Sequence, residues 1–273
     1  MIVRVHWETT YTYTQPVRQL HSEICLLPAS RPSGQRLISG GVTTTPVTDP
    51  RPFSDVFGNT VHHLDYLHPV DRLHVRAEAE VLTTTNPESA QGLPPLLERL
   101  YLQPTPRAPH LDPAVVALSH EVGGEGLGPV ALAERVNTYL RERFAFAVGV
   151  TAVSATALDL VAAGQGVCQD FAHLMIAILR HRGVAARYVS GYLASCDGET
   201  STDASHAWVQ VLADDHWHGF DPANGHPQDT RYVVTAVGRD YDDVPPVRGT
   251  YRGVAREQWS TSIRIATDQS AAG

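Results

Sequence analysis

The sequence changes its hydrophobic period twice, and the order of those changes restricts the fold more than any other feature. From the N-terminus to about residue 85, apolar and polar residues alternate, as Val3, Val5 and Trp7 do with Arg4, His6 and Glu8. The segments EICLLP and LHVRAEAEVLTT share that habit, and FGN reads as a turn between them. Period-two alternation belongs to strands with one buried face, so this part predicts an antiparallel β region. After Pro113 the spacing becomes helical in DPAVVALSHEV, PVALAERVNTYLRERF and SATALDLVAAG. Pro129 sits near the start of the second helix, where a missing N–H costs nothing. From Ala186 strands return: ARYVSGYL, HAWVQVL, HWHGFD, RYVVTAVG, VRGTYRG and EQWSTSIRIAT. Helices followed by strands, rather than alternating with them, predict an α+β domain. Seven prolines lie from Pro87 to Pro113, around a short LLERLYL, and such density marks a connection. The reading is a β-sandwich-like domain over 1–85, a connection over 86–112 and a second domain over 113–273.

Between the helices and the strands stands GQGVCQDFAHLMIAILRHRG, from Gly164 to Gly183. Phe171, Leu174, Met175, Ile178 and Leu179 recur at helical spacing, and Gly183 is the natural stop. The helix therefore starts near Cys168. A first-turn position has unpaired N–H groups and the positive end of the helix dipole, which favour a thiolate. Gly164 and Gly166 give the backbone room to bend and a substrate room to approach. The Cys168 N–H is a candidate donor to an oxyanion. Asp170, in the same turn, opposes a thiolate unless it points away.

A thiol nucleophile needs a base, and the base needs an orienting group. SHAWVQVLADDHWHGFDP supplies His206 at the start of one strand and Asp221 at the end of the next. A hairpin that puts Leu212 opposite Asp215 puts His206 directly opposite Asp221 on the same face, and a slip of one residue would separate them. Spacing alone leaves two readings open, a structural cysteine with a chance histidine and a Cys-His-Asp site.

Composition narrows the partners. The 273 residues are 42% hydrophobic, and the net charge of −8 lacks a basic cluster, which argues against nucleic acid or an anionic membrane. No apolar run is long enough for a bilayer, and the N-terminal stretch lacks the pattern of a signal peptide, so the expected location is cytoplasmic. Three widely spaced cysteines make no disulfide framework. Cys25 reads as core and Cys196 as an exposed loop thiol. No metal is expected. His62 and His63 point to opposite faces of a strand, His216 and His218 share a face without a third ligand, and there is no EF-hand loop.

GVCQDFAHLMIAILRHRGVAARYVSGYL, SHAWVQV and GFDPANG together closely resemble the transglutaminase-like superfamily of papain-like thiol enzymes. TAVGRDYDDVPPVRGTYRG extends the likeness, and EICLLPAS and DVFGN resemble the bacterial transglutaminase-like N-terminal domain. The resemblance spans nearly the whole chain. It implies a papain-like core, with a cysteine-bearing helix packed on an antiparallel sheet that carries His and Asp. It also implies Cys168 as nucleophile, His206 as general base and acid, and Asp221 as the orienting carboxylate. The expected reaction is hydrolysis or acyl transfer at peptide or glutamine-side-chain amides through a thioester, on a protein or peptide substrate and without a cofactor. Gln165 and Gln169 are candidates for an oxyanion hole, with structural amides as the alternative, and Trp208 reads first as core packing and second as a cleft wall. By resemblance Tyr241 and Asp242 would line the substrate site. The alternative is a non-catalytic binding or scaffold module that keeps the fold.

Overall fold

The computed structural model describes residues 1–196 and 198–268. The first part of the chain forms β1 (Ile2–Ile24), β2 (Gln35–Thr45), β3 (Arg51–Ser54), β4 (Thr60–Tyr66) and β5 (Val70–Thr83). The middle part forms β6 (Glu88–Ser89), α1 (Pro95–Leu100), α2 (Pro113–Val122), α3 (Pro129–Arg143), β7 (Ala145–Phe146), α4 (Ala157–Ala163), β8 (Gln165–Gly166) and α5 (Cys168–His181). The last part forms β9 (Ala186–Leu193), β10 (Glu199–Thr202), β11 (His206–Ala213), β12 (His216–Asp221), β13 (His226–Pro227), β14 (Tyr232–Gly238), β15 (Val247–Arg252) and β16 (Glu257–Asp268). A 3₁₀ turn at Tyr241–Asp243 follows β14.

β1 organises the N-terminal sheet. Its first half lies between β5 and β16, and its second half between β4 and β15. The alternation of Val3, Val5 and Trp7 becomes a buried face, which packs with Leu73, Val75, Ile263 and Ile265. The strands VRGTYRG and EQWSTSIRIAT therefore join β1 in the sheet of the N-terminal region, and β16 also pairs with β10 of the 113–273 region. Alternation identifies a strand but not its partner, and here the partner is at the other end of the chain. The remaining residues of that region, 269–273, lie outside the described residues.

The proline-rich stretch is docked rather than slack. β6 pairs with β12, and α1 leads to Tyr101, which is buried edge-on against Trp217. Glu88 of β6 receives Arg187 at 2.7 Å and Arg31 at 3.4 Å, with all three side chains largely buried. Arg187 also lies 4.0 Å over the Trp217 ring. Proline density reports the absence of regular backbone bonding, not the absence of packing.

The second core forms around α5. Its residues from Asp170 to Arg180 are buried all round, against α2, α3 and α4 on one side and β9 and β11 on the other. A helix apolar on every face can only be a central one. Burying each of Phe171, Leu174, Met175 and Ile178 stabilises the fold by about 2 kcal/mol relative to exposure. The helix ends in a Schellman motif: Gly183 N–H donates to Arg180 C=O and Val184 N–H to Leu179 C=O, with φ of Gly183 at 75°. Beneath it the sheet runs β13-β12-β11-β9-β14.

β14 forms the edge of that sheet, and two amide side chains from the N-terminal region cover it. Gln35 accepts from Val234 N–H at 2.9 Å and donates to Val234 C=O at 2.7 Å. Asn59 does the same for Val237, at 2.8 and 2.7 Å. Gly191 of β9 lies opposite His206, and a methyl group added there would stand 2.1 Å from Val233 C=O and 2.6 Å from the Trp208 ring. Gly191→Ala should therefore force β9 from β14 and lower stability by roughly 1–3 kcal/mol, read as a lower urea midpoint at unchanged m.

Candidate functional site

Cys168 is the first residue of α5, and Val167 before it is extended. Its backbone N–H has no acceptor within the helix. Asp170, the source of concern in the sequence, is turned back. Its Oδ2 accepts from Val167 N–H at 2.9 Å and from Thr151 Oγ1–H at 2.6 Å, so the carboxyl caps the helix start. Gly166 is required by that cap, since a Cβ there would meet Asp170 Oδ2 at 2.6 Å. Desolvation raises the pKa of Asp170, which weakens its opposition to a neighbouring anion.

The hairpin that carries His206 and Asp221 differs in register from the expected one. Its turn is Asp214-Asp215, both with positive φ (50° and 58°), the geometry of a two-residue hairpin loop. The ladder runs from Ala213↔His216 to Val209↔Phe220, which puts Asp221 opposite Trp208 when continued. His206 and Asp221 are thus diagonal neighbours rather than directly opposed. The shift is two residues, so both side chains keep the same face, and the imidazole reaches across.

The contact is short. His206 Nε2 lies 2.6 Å from Asp221 Oδ2, which leaves Nδ1 outside that bond, and Cys168 is a second group that acts on the ring. Asp221 is wholly buried and collects four further donors. Tyr232 Oη–H and Asn224 Nδ2–H both donate to Oδ2 at 2.7 Å, and Ala223 and Asn224 N–H donate to Oδ1 at 3.1 Å. Burial alone would raise its pKa, but these bonds and the imidazole outweigh burial and hold the carboxylate ionised. For His206, burial would drive the proton off. The bonds to Asp221 and Cys168 and their negative charge prevail, and its pKa rises to about 10. A charged imidazole beside a thiol favours the thiolate, the attacking form.

The other expected site residues fall into place differently. Trp208 is wholly buried. It stacks behind the His206 ring (6.0 Å, 23°), and its Nε1–H donates to Gln228 at 2.9 Å, so it backs the imidazole instead of walling an open cleft. Gln169 donates to Val153 C=O at 2.9 Å and secures the loop before α4, while Gln165 is exposed on β8. Neither amide is aimed at Cys168 by a contact seen among the described residues. Tyr241 meets Tyr188 edge-on at 6.4 Å, and both pack beside the core around α5. Asp242 is taken by Arg107, with bonds of 2.6 and 3.0 Å. Arg107 also donates to Val153 and Ala155 C=O, so one cation ties together the two loops beside Cys168.

Sequence reasoning missed Arg107, Asn224, Tyr188 and Tyr232. Asn224 had a local signal, because Asp-Pro-Ala-Asn-Gly is a turn in which the leading Asp accepts from backbone N–H groups. The other three had none, since their roles depend on strand order.

The chain is similar to known proteins along its length. Residues 116–222 match the transglutaminase-like superfamily and residues 3–82 the bacterial transglutaminase-like N-terminal region. An uncharacterised protein of Mycobacterium leprae is 32% identical over 266 residues, covering 92% of this chain and 93% of that one. An uncharacterised Mycobacterium tuberculosis protein is 44% identical over 128 residues, which cover 43% of this chain and 40% of that one. The crystal structure of a candidate cysteine protease from Cytophaga hutchinsonii superposes with a TM-score of 0.76 at 20% identity, covering 98% of this chain and 92% of that one. At that identity the likeness shows the α+β papain-like fold.

The proton affinity of His206 has a stability consequence. Its folded pKa of about 10 exceeds the unfolded value of 6.5, so the folded state holds the proton more tightly. This stabilisation is complete below about pH 6.5 and drains away as pH rises to about 10. The difference in urea midpoint between wild type and His206→Gln should shrink across that window.

Proposed function

The chain belongs to the transglutaminase-like superfamily, and we propose that it is a thiol enzyme acting on peptide or glutamine-side-chain amides through Cys168, His206 and Asp221. The observation that carries this reading is the 2.6 Å bond from His206 to a buried, fully satisfied carboxylate, with Cys168 at the first position of α5. Cys168 Sγ attacks the amide carbon, and negative charge develops on the carbonyl oxygen. The Cys168 N–H at the helix start is placed to receive it. The C–N bond then breaks, and the His206 Nδ1 proton goes to the departing amine. That leaves a thioester on Cys168 and a neutral imidazole. Water or a second amine attacks the thioester, His206 takes up its proton, and the thiolate is released. Asp221 keeps the ring oriented and stays ionised throughout.

A water acceptor gives hydrolysis and an amine acceptor gives cross-linking, and both use the same residues. The substrate class, protein or peptide, follows from the family chemistry. We place the protein in a reducing compartment such as the cytoplasm, because three widely spaced cysteines make no disulfide framework. Among the described residues no helix is long and apolar enough to cross a membrane.

The test is competitive alkylation of the native protein with iodoacetamide at neutral pH. Cys168 should react at least about tenfold faster than the exposed Cys196. Cys25, whose buried thiol is pushed up to about 12, should remain unlabelled. His206→Ala should bring Cys168 down to the rate of Cys196. Cys168→Ala should abolish ammonia release from glutamine peptides while leaving the circular dichroism spectrum intact. Equal labelling of Cys168 and Cys196 in the wild type would sink the proposal and favour a scaffold role.

A further inference from the structure

We propose that His21, His63 and Asp65 form a binding site for a borderline divalent transition-metal ion of the zinc class. None of the three lies on an element that carries Cys168, His206 or Asp221. The site is built by strand register. His21 of β1 lies directly opposite Asp65 of β4, and His63 precedes Asp65 by two residues on the same face. The neighbouring His62 faces inward and is buried, so adjacency in sequence concealed the arrangement.

The donor atoms converge. His21 Nδ1 lies 2.5 Å from Asp65 Oδ1, and His63 Nε2 lies 2.9 Å from the same oxygen. The two rings are nearly parallel, 6.3 Å apart with 22° between planes. All three donor atoms fall within 4.8 Å of one another. Two imidazole nitrogens and one carboxylate oxygen make a three-ligand zinc set with an open fourth position. Small ring rotations bring the atoms from mutual hydrogen bonding to coordination, because the backbone already holds them on one face.

The surroundings suit that reading. Asp65 Oδ2 is engaged by Arg51, which leaves Oδ1 as a single monodentate ligand whose partner oxygen is fixed. Glu23 lies opposite His63 but is held by Arg248 at 2.5 Å, so the fourth position is left to water. Two carboxylates and two guanidinium groups roughly cancel around the site. The ion is therefore selected by imidazole affinity and not by net negative field, which excludes calcium and magnesium.

Cobalt(II) tests this on the full chain carrying Cys168→Ala and Cys196→Ala, which removes both accessible thiols. One Co2+ per chain should bind, giving the visible bands of a four-coordinate ion without a thiolate-to-metal band, and Zn2+ should displace it. His21→Ala and His63→Ala should each weaken binding by about 100-fold with unchanged circular dichroism. Asp65→Asn, which keeps the side-chain shape, should also weaken it. A stoichiometry well below one, or an affinity indifferent to both histidine substitutions, would overturn the proposal.

Discussion

An ionised carboxylate away from water must have its lone pairs taken by donors, and Asp221 is wholly away from water. Each of its donors fixes a different piece of the fold. The Ala223 and Asn224 N–H groups fix the turn after β12. Tyr232 fixes where β14 begins, and His206 fixes where β11 begins. β14 in turn holds its place through Gln35 and Asn59, which come from the N-terminal region. The orientation of one imidazole ring is thus underwritten by residues about 150 to 170 positions earlier in the chain.

The first turn of α5 shows how local charge is managed. The dipole end favours an anion, and the acidic groups of that turn and of the Tyr241 loop are both occupied. Asp170 is spent on the helix cap and Thr151, and Asp242 on Arg107. Arg107 lies in the proline-rich segment, so that segment also secures the loops beside the thiol.

Much of this was legible in the sequence, where the chemistry was local. The helix from Cys168, its stop at Gly183 and the strands from Ala186 follow from hydrophobic period and turn residues. His206 and Asp221 were paired correctly for a reason that survives a wrong register, because parity rather than exact opposition decides which face a side chain occupies. What could not be read was partnership at long range. Nothing in EQWSTSIRIAT says that it pairs with β1, and nothing near Tyr232 says that it bonds to Asp221. The pairing of Asp242 could not be read either, because its cation, Arg107, lies 135 residues earlier.

The amide brackets on β14 also bear on how such a chain can be rearranged. An unpaired strand edge is an invitation to associate with another chain. Here two short side chains answer the edge at Val234 and Val237 in place of a further strand. A piece cut to carry the thiol, imidazole and carboxylate alone would leave that edge open. The N-terminal region is therefore not an appendage to be exchanged freely among fusion partners, and any gene-level shuffling that replaced it would have to supply two amides at the same height.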